Sequence, residues 1–309
     1  MNPSPDINLA LVGLGVIARA QHLPAIEATD GVTLTAIASR NAVLDGVASY
    51  PNIAALLDAR PDVTAVSLAT PPQGRFDQAR AVLDAGRHLM LEKPPGATLS
   101  EIDALTDLAA ARGLTVFATW HSRMAAGVDA ARDWIAARDL AGIRITWRED
   151  VRKWHPGQDW IWQPGGLGVF DPGINALSIL TDLVPGVVLR RADLTVPQGR
   201  ATPIAADLDM QAGDTAISAQ FDWRETGDEF WQIALTARDG STALLDQGGA
   251  RFVADGVDQA GENREYARLY ARFRDLIAAG RSDVDLSPMR LVADAFLTGT
   301  THETDAFYD

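Results

Sequence analysis

The chain has 309 residues, a length that predicts two domains and permits a hydrophobic core without help from disulfides. Hydrophobic residues make up 47% and charged residues 22%, which excludes a disordered or fibrous protein, and the formal net charge of −14 argues against a nucleic-acid partner. The absence of cysteine excludes disulfides, thiolate metal ligands and a cysteine nucleophile.

The start of the chain and its hydropathy predict a cytoplasmic location. The first six residues lack the basic and apolar regions of a signal peptide. No apolar run approaches the roughly 18 residues that a membrane span needs. We therefore expect a cytoplasmic protein with no membrane partner. No metal site is predicted either.

The first half of the sequence alternates strand patterns with helical patterns. Strands are predicted at 7–12, 33–38, 63–69, 88–91 and 114–118, and a helix is predicted at 75–85. Ser100 is predicted to cap a further helix, with Asp103 as its capping-box acid. Strand–helix alternation predicts parallel strands with right-handed crossovers, so residues 1–122 should form a doubly wound α/β domain.

The second half, residues 123–309, predicts an α+β domain. Helical patterns at 124–138, 264–279 and 288–298 surround strand patterns at 143–147, 187–196, 215–223, 231–237 and 242–245, with an aromatic, Gly-rich loop at 154–168. Consecutive strands without intervening helices predict an open, mostly antiparallel sheet. An open sheet is compatible with a homodimer.

The turn after the first strand fits a dinucleotide-binding fingerprint. Gly13-x-Gly15-x-x-Ala18 follows a strand and begins a helix, as in the Rossmann pattern G-x-G-x-x-A. Gly13 would make the turn, Gly15 would let the backbone approach the pyrophosphate, and Val16 and Ile17 would present the helix N-terminus to it. The alternative is a Gly-rich turn of an unrelated α/β protein, which the strand–helix context disfavours.

The end of the second strand predicts NADP in preference to NAD. NAD-binding proteins usually place an acid there to hold the ribose 2′-hydroxyl, whereas this chain has Ser39-Arg40 and no carboxylate until Asp45. Arg40 and Ser39 can instead bind a 2′-phosphate. The alternative is a solvated surface arginine.

Two further strand ends are predicted to line the cofactor crevice. Thr70-Pro71 ends the third strand and Glu92-Lys93-Pro94 ends the fourth. Lys93, on a turn stiffened by proline, can contact both the nicotinamide ribose and the substrate. A generic Lys-Pro loop is the alternative.

Taken together, these motifs resemble those of the glucose–fructose oxidoreductase/inositol dehydrogenase (Gfo/Idh/MocA) family. The resemblance is carried by the fingerprint, His22, Glu92-Lys93-Pro94 and the stretch 165–175 (GGLGVFDPGIN), and it spans essentially the whole chain. Within the family the chain is most similar to bacterial L-arabinose 1-dehydrogenases and D-galactose 1-dehydrogenases. That similarity rests on 91–98 (LEKPPGAT), 117–123 (FATWHSR) and 154–158 (WHPGQ).

The resemblance implies an NAD(P)-dependent aldose 1-dehydrogenase. Such an enzyme oxidises C1 of a pyranose to the lactone, and NAD or NADP takes the hydride. L-Arabinose and D-galactose share their ring configuration from C1 to C4, so one pocket can accept both.

One departure from the family pattern affects the predicted chemistry. The wider family carries Asp-x-x-x-His, whereas this chain has Asp171-x-x-x-Asn175, and asparagine cannot act as a base. We expect Asp171 to be the base, Lys93 to bind and polarise O1, and Asn175 to orient the sugar. Lys93 as the base, proton transfer through water, and Asp171 as a mere N-cap before Pro172 are the alternatives.

Four other residues are candidate sugar contacts. His121 lies just past the fifth strand, where a satisfied core histidine is the alternative. Glu149 lies late in its strand and would hydrogen-bond hydroxyls, unless it is a solvated strand-end acid. Trp154 and His155 would face the apolar side of a pyranose, unless their aromatic loop belongs to the core or to a subunit interface.

Two other functions compete with this prediction. One is a dehydrogenase of another sugar, cyclic polyol or diol. The other is a non-catalytic NAD(P)-sensing regulator, against which the intact Lys93 and Asp171 argue.

Overall fold

The computed structural model describes residues 6–308. Its strands are β1 (Ile7–Val12), β2 (Val32–Ala38), β3 (Ala48–Tyr50), β4 (Ala65–Leu68), β5 (His88–Leu91), β6 (Val116–Ala118), β7 (Leu140–Arg148), β8 (Val188–Pro197), β9 (Ala205–Ala212), β10 (Thr215–Asp222), β11 (Phe230–Ala237), β12 (Thr242–Asp246), β13 (Arg251–Ala254), β14 (Val257–Ala260) and β15 (Thr300–Thr304). Its α-helices are α1 (Leu23–Glu27), α2 (Ile53–Ala59), α3 (Arg75–Asp84), α4 (Leu99–Arg112), α5 (Val128–Ala136), α6 (Val151–Trp154), α7 (Phe170–Leu183), α8 (Glu265–Ala278) and α9 (Ser287–Thr298). None of the helices in this range is long and apolar enough to cross a membrane.

The chain divides into two compact units, and the first is discontinuous. It comprises the chain up to Met124 together with Arg264–Leu286, and the second comprises Ala125–Asn263 with the chain from Ser287 onward. The predicted ranges, 1–122 and 123–309, differ from this division by two residues at the boundary and by the whole segment 264–286. The reason is helix α8, whose apolar face lies in the core of the first unit. The residues of that face are Tyr266, Leu269, Tyr270, Phe273 and Leu276.

The first unit contains a six-stranded sheet whose strands are all parallel, as predicted, with one strand, β3, beyond the five predicted. The strand order is β3-β2-β1-β4-β5-β6, and every pairing is parallel. All the strands therefore end at one edge of the sheet. The order reverses between β1 and β4, which is where sheets of this kind bind nucleotides.

The cap of α4 differs from the prediction. Thr98, not Ser100, is the N-cap: its hydroxyl accepts the Glu101 N–H at 3.2 Å, and the Glu101 carboxylate accepts the Thr98 N–H at 3.3 Å. Thr98 has the extended backbone of an N-cap (φ −135°, ψ 157°), whereas Ser100 already lies in the first helical turn. The predicted Ser100–Asp103 box is therefore wrong by two residues.

The second unit is a nine-stranded sheet, mostly antiparallel as predicted, with helices packed against it. Its order is β14-β13-β12-β11-β7-β10-β9-β8-β15, and only β7/β10 and β8/β15 pair in parallel within the described residues. Ile143, Ile145 and Trp147 alternate toward the buried face of β7. Helix α7 packs on the sheet through Phe170, whose ring meets Phe221 of β10 edge-on at 5.8 Å.

Candidate functional site

The β1 turn has the shape that a dinucleotide requires. Gly13 has φ +92°, and a Cβ there would lie 2.9 Å from the Ala69 carbonyl oxygen, so the protein itself needs this glycine. A Cβ at Gly15 would meet no protein atom within 4 Å, which leaves the space that an approaching pyrophosphate needs. Ala18 is fully buried in the core, while Val16, the first residue of the helical segment 16–22 that leads into α1, is 87% exposed. The turn therefore fits the cofactor.

The end of β2 presents the two residues predicted to select the cofactor. The Ser39 N–H donates to the Tyr50 carbonyl oxygen at 3.0 Å, and this bond fixes the strand end against β3. Arg40 follows and is exposed. The next carboxylate in the chain, Asp45, is also exposed and lies five residues beyond Arg40.

Arg75, at the first residue of α3, joins the loops that follow β4 and β5. Its side chain is buried, and its guanidinium donates to the carbonyl oxygens of Thr70, Glu92 and Pro94. Burial lowers the pKa of Arg75 to about 10, and the negative charge of Glu92 opposes that effect. The arginine stays charged at neutral pH and holds both predicted cofactor-binding loops.

Arg75 was missed in the sequence although a signal for it exists. The buried positions of α3 are Arg75, Ala79, Val82 and Leu83, which is the spacing of an apolar helix stripe. A charged residue in that stripe has to find buried partners. Such a position indicates a structural cation.

Glu92 faces the interior of the first unit. It is 5% exposed; one carboxylate oxygen, Oε2, accepts the Lys93 N–H, and the other, Oε1, accepts the Tyr266 O–H. The Nε2 atom of His22 lies 3.5 Å from Oε1. Burial by itself would raise the pKa of Glu92, but the nearby His22, His121 and Tyr266 hold it at about 2. Glu92 is therefore an anion whose contacts here are with the protein, so its predicted contact with the cofactor stays a prediction.

His121 and Lys93 lie at the same edge of the sheet. The Nδ1 atom of His121 is 2.6 Å from Glu265 Oε2, and its ring stacks on Tyr266 at 5.5 Å. Lys93 is half-buried and precedes a cis peptide bond to Pro94. The first unit thus collects Gly13, Arg40, Thr70, Lys93 and His121 along one sheet edge, as the parallel topology predicts.

Glu149 lies directly after β7 and is enclosed by two tryptophans. The sheet register places Trp223, after β10, and Trp231, in β11, on either side of it. Their indole N–H groups donate to its carboxylate at 3.3 Å and 2.8 Å. Glu149 is 4% exposed, so the alternative of a solvated strand-end acid is wrong.

These two tryptophans belong to an aromatic cluster formed by Trp154, His155, Trp223 and Trp231. Trp154 is 44% exposed and lies 5.6 Å from Trp231 between ring centroids, and its N–H donates to Glu229 at 2.7 Å. The His155 ring lies 5.2 Å from that of Trp223. Trp223 and Trp231 were not among the predicted residues, because strand register, not sequence spacing, brings them beside Glu149.

Asp171 and Asn175 lie one turn apart on α7. Helix α7 begins at Phe170 with Val169 as its N-cap, so the alternative in which Asp171 is the N-cap is wrong. Asp171 is 7% exposed, and its Oδ2 lies 3.6 Å from Nε2 of His155. The second unit therefore joins Glu149, Trp154, His155 and Asp171 in one cluster, with Asn175 half-buried on the next turn.

The fold and the β1 turn define a class of protein, a Rossmann-type dinucleotide-binding oxidoreductase with a second α+β unit. Residues 7–119 match the family model described as an oxidoreductase family with an NAD-binding Rossmann fold. A galactose 1-dehydrogenase from Pseudomonas fluorescens is 45% identical, over 98% of this chain and 99% of that protein. The chain belongs to the Gfo/Idh/MocA family, as the sequence motifs predicted.

Solved structures agree with this assignment over the whole chain. The crystal structure of a D-galactose-1-dehydrogenase from Rhizobium etli matches with a TM-score of 0.95 and 49% identity, covering 100% of this chain and 99% of that one. A 3-ketoreductase from Actinomadura kijaniata, solved with NADP and TDP-benzene, matches with a TM-score of 0.82 and 18% identity. It covers 97% of this chain and 99% of the reductase, and at this identity it supports the fold alone.

Proposed function

We propose that the protein is an aldose 1-dehydrogenase that oxidises C1 of D-galactose, and of L-arabinose, to the lactone. The observation that carries the proposal is the similarity to two galactose 1-dehydrogenases, which extends through both units at 45% and 49% identity. The aromatic cluster supports it further, because indole faces suit the apolar side of a pyranose and carboxylates suit its hydroxyl groups.

The proposed chemistry assigns roles to four side chains. When bound, the nicotinamide would accept the hydride that leaves C1. Asp171 takes the proton of the C1 hydroxyl, with the imidazole of His155 at 3.6 Å to stabilise and share it. Lys93 binds and polarises O1, and Asn175 orients the sugar by hydrogen bonding, because it cannot ionise.

The reaction is tested by the absorbance of reduced nicotinamide with a panel of aldoses and both cofactors. We expect turnover with D-galactose and L-arabinose. Asp171→Asn and Lys93→Met should each lower turnover about 10²-fold or more. Asp182→Asn is the control, because Asp182 lies on the same helix but pairs with Arg132 at 2.6 Å. Bound cofactor without turnover on any aldose would favour the regulator.

We also propose that NADP is preferred over NAD. A guanidinium on a 2′-phosphate contributes about 1.5–3 kcal/mol. That free energy corresponds to about 10- to 150-fold in affinity. Arg40→Ala should raise the KM for NADP by that factor and leave NAD nearly unchanged, and Ser39→Asp should reverse the preference. Arg112→Ala, on the same unit but paired with Asp84, should change neither constant. Equal losses for both cofactors in Arg40→Ala would show that this arginine does not read the phosphate.

A further inference from the structure

A continuous set of buried polar groups lies below the Glu92-Lys93 turn. Tyr270 donates to Ser67 at 3.3 Å, and its hydroxyl oxygen lies 2.7 Å from Nδ1 of His22. The other nitrogen of His22 faces Glu92 at 3.5 Å. All of these side chains are buried and belong to the first unit. The mechanism above uses none of them, and a buried polar set of this kind needs an explanation.

The two carboxylate oxygens of Glu92 accept hydrogen bonds from different donors. Oε2 accepts the backbone N–H of Lys93, and Oε1 accepts the O–H of Tyr266. The carboxylate is a rigid planar group attached through Cγ, so holding one oxygen restricts where the other can lie. Tyr266, the hydrogen-bond donor to Oε1, therefore helps to set the position of the acceptor for the Lys93 N–H.

The ring of Tyr266 is itself held firmly. It meets the ring of His22 edge-on at 4.8 Å and stacks on His121 at 5.5 Å, and the residue is 5% exposed. His121 is in turn tied to Glu265, the neighbour of Tyr266 on α8. Packing thus fixes the position of the ring, and the hydrogen bond from its hydroxyl in turn holds the carboxylate of Glu92.

We propose that Tyr266 is a positioning residue for the oxidation: through Glu92 it holds the backbone of Lys93 in the geometry in which the lysine side chain works. This inference rests on the proposed function for the role of Lys93. Tyr266 comes from the returning segment 264–286, so the turn that follows β5 is completed by residues far away in the sequence.

The kinetic test compares two phenols on one helix. Tyr266→Phe keeps the ring and removes the O–H, and we expect turnover to fall about tenfold, or about 1.4 kcal/mol, with both KM values within about twofold. Tyr270→Phe is the matched control, because it also loses a buried hydroxyl, but that hydroxyl bonds to His22 and Ser67 and not to Glu92 within the described residues. Its turnover should fall at most about threefold. Equal losses in the two variants would overturn the proposal.

A double-mutant cycle separates positioning from general destabilisation. In a Lys93→Met background, Tyr266→Phe should cost less than about twofold, since the side chain it positions is gone. A tenfold loss in both backgrounds would mean that the hydroxyl does not act through Lys93, and would overturn the proposal. Thermal unfolding of each variant verifies that it is folded.

Hydrogen exchange tests the same idea without any activity. The amides in a peptide covering 88–97 should exchange faster in Tyr266→Phe than in wild type or Tyr270→Phe, because the acceptor of the Lys93 N–H is no longer fixed. Glu92→Gln should show the same faster exchange. Unchanged exchange in Tyr266→Phe would overturn the proposal. If wild type oxidises no aldose, the proposed function fails while this comparison still decides the role of Tyr266.

Discussion

Arg75→Met tests whether one buried cation holds together the two loops that carry Thr70 and Lys93. The methionine fills a similar volume and keeps α3 intact, but it donates no hydrogen bond. The variant leaves three carbonyl oxygens, those of Thr70, Glu92 and Pro94, without their guanidinium donor. It also deprives the anionic Glu92 of a nearby positive charge.

The expected loss of folding stability in Arg75→Met is the difference between two opposing contributions. A buried acceptor left without a donor costs about 1–3 kcal/mol, so three of them cost about 6 kcal/mol at the centre of that range. Removing a buried guanidinium gives part of this back, because burial lowers its pKa to about 10, well below the ordinary value for arginine, and this shift corresponds to about 3 kcal/mol of unfavourable burial. The net loss is about 3 kcal/mol, or a fall in Tm of about 6–12 °C at about 2–4 °C per kcal/mol.

Thermal unfolding followed by circular dichroism measures this loss, and a second arginine on α3 provides the control. Arg80 is exposed and pairs with Asp84 at 3.6 Å, so Arg80→Met should cost about 0.5 kcal/mol or less. Arg75→Met should also weaken dinucleotide binding, because both loops lie at the cofactor edge of the sheet. Equal Tm values for the two variants would refute the role assigned to Arg75.

Three further predictions follow from the same site. The pKa of Glu92 is about 2 in the folded protein, against an ordinary value of 4.5. Its contribution of about 3 kcal/mol to the free energy of unfolding is therefore present above about pH 4.5 and is lost as the pH falls toward 2. In acid titrations, Glu92→Gln should flatten the dependence of stability on pH over that interval. Gly13→Ala should lower Tm strongly, whereas Gly15→Ala should leave Tm unchanged and raise the dinucleotide Kd at least about tenfold, and similar Tm losses would contradict this difference. Asn175→Ala should raise the KM for sugar about two- to tenfold without changing the shape of the pH–rate profile, and a lost basic limb would contradict that role.

The fold could be predicted where the period of the apolar residues identifies a strand or a helix. The strand–helix alternation of the first half and the strand succession of the second both appear in the structure. The short β3 and the exposed β14 were missed, since three or four residues with little apolar content give no period. β13 and β15 were missed as well, and so was β9, although Leu208 and Met210 alternate with exposed acids. Helix α8 was predicted, but the period of its apolar residues does not indicate which of the two units they pack into.

The site residues that could be predicted are those that lie at the ends of parallel strands. Residues such as Lys93 and Gly13 could be placed because parallel strands end at one edge. The partners of Glu92 and Glu149 could not, because Tyr266 is 174 positions from Glu92 and Trp231 is 82 positions from Glu149. Those contacts depend on tertiary packing and sheet register, which a single sequence does not specify.

The discontinuity of the first unit has a consequence for how the protein is made. During synthesis from the N-terminus, the chain up to Met124 leaves the ribosome before the α8 residues that complete its core. The last of them, Leu276, lies 152 residues after Met124 (276 − 124), and its synthesis follows after about 8–30 s at about 5–20 residues per second. Over that interval the face that will receive Tyr266, Tyr270 and Phe273 stays uncovered, so the nascent Rossmann sheet is a natural client for chaperones. A gene truncated after Met124 should accordingly yield an aggregating fragment, not a free nucleotide-binding domain.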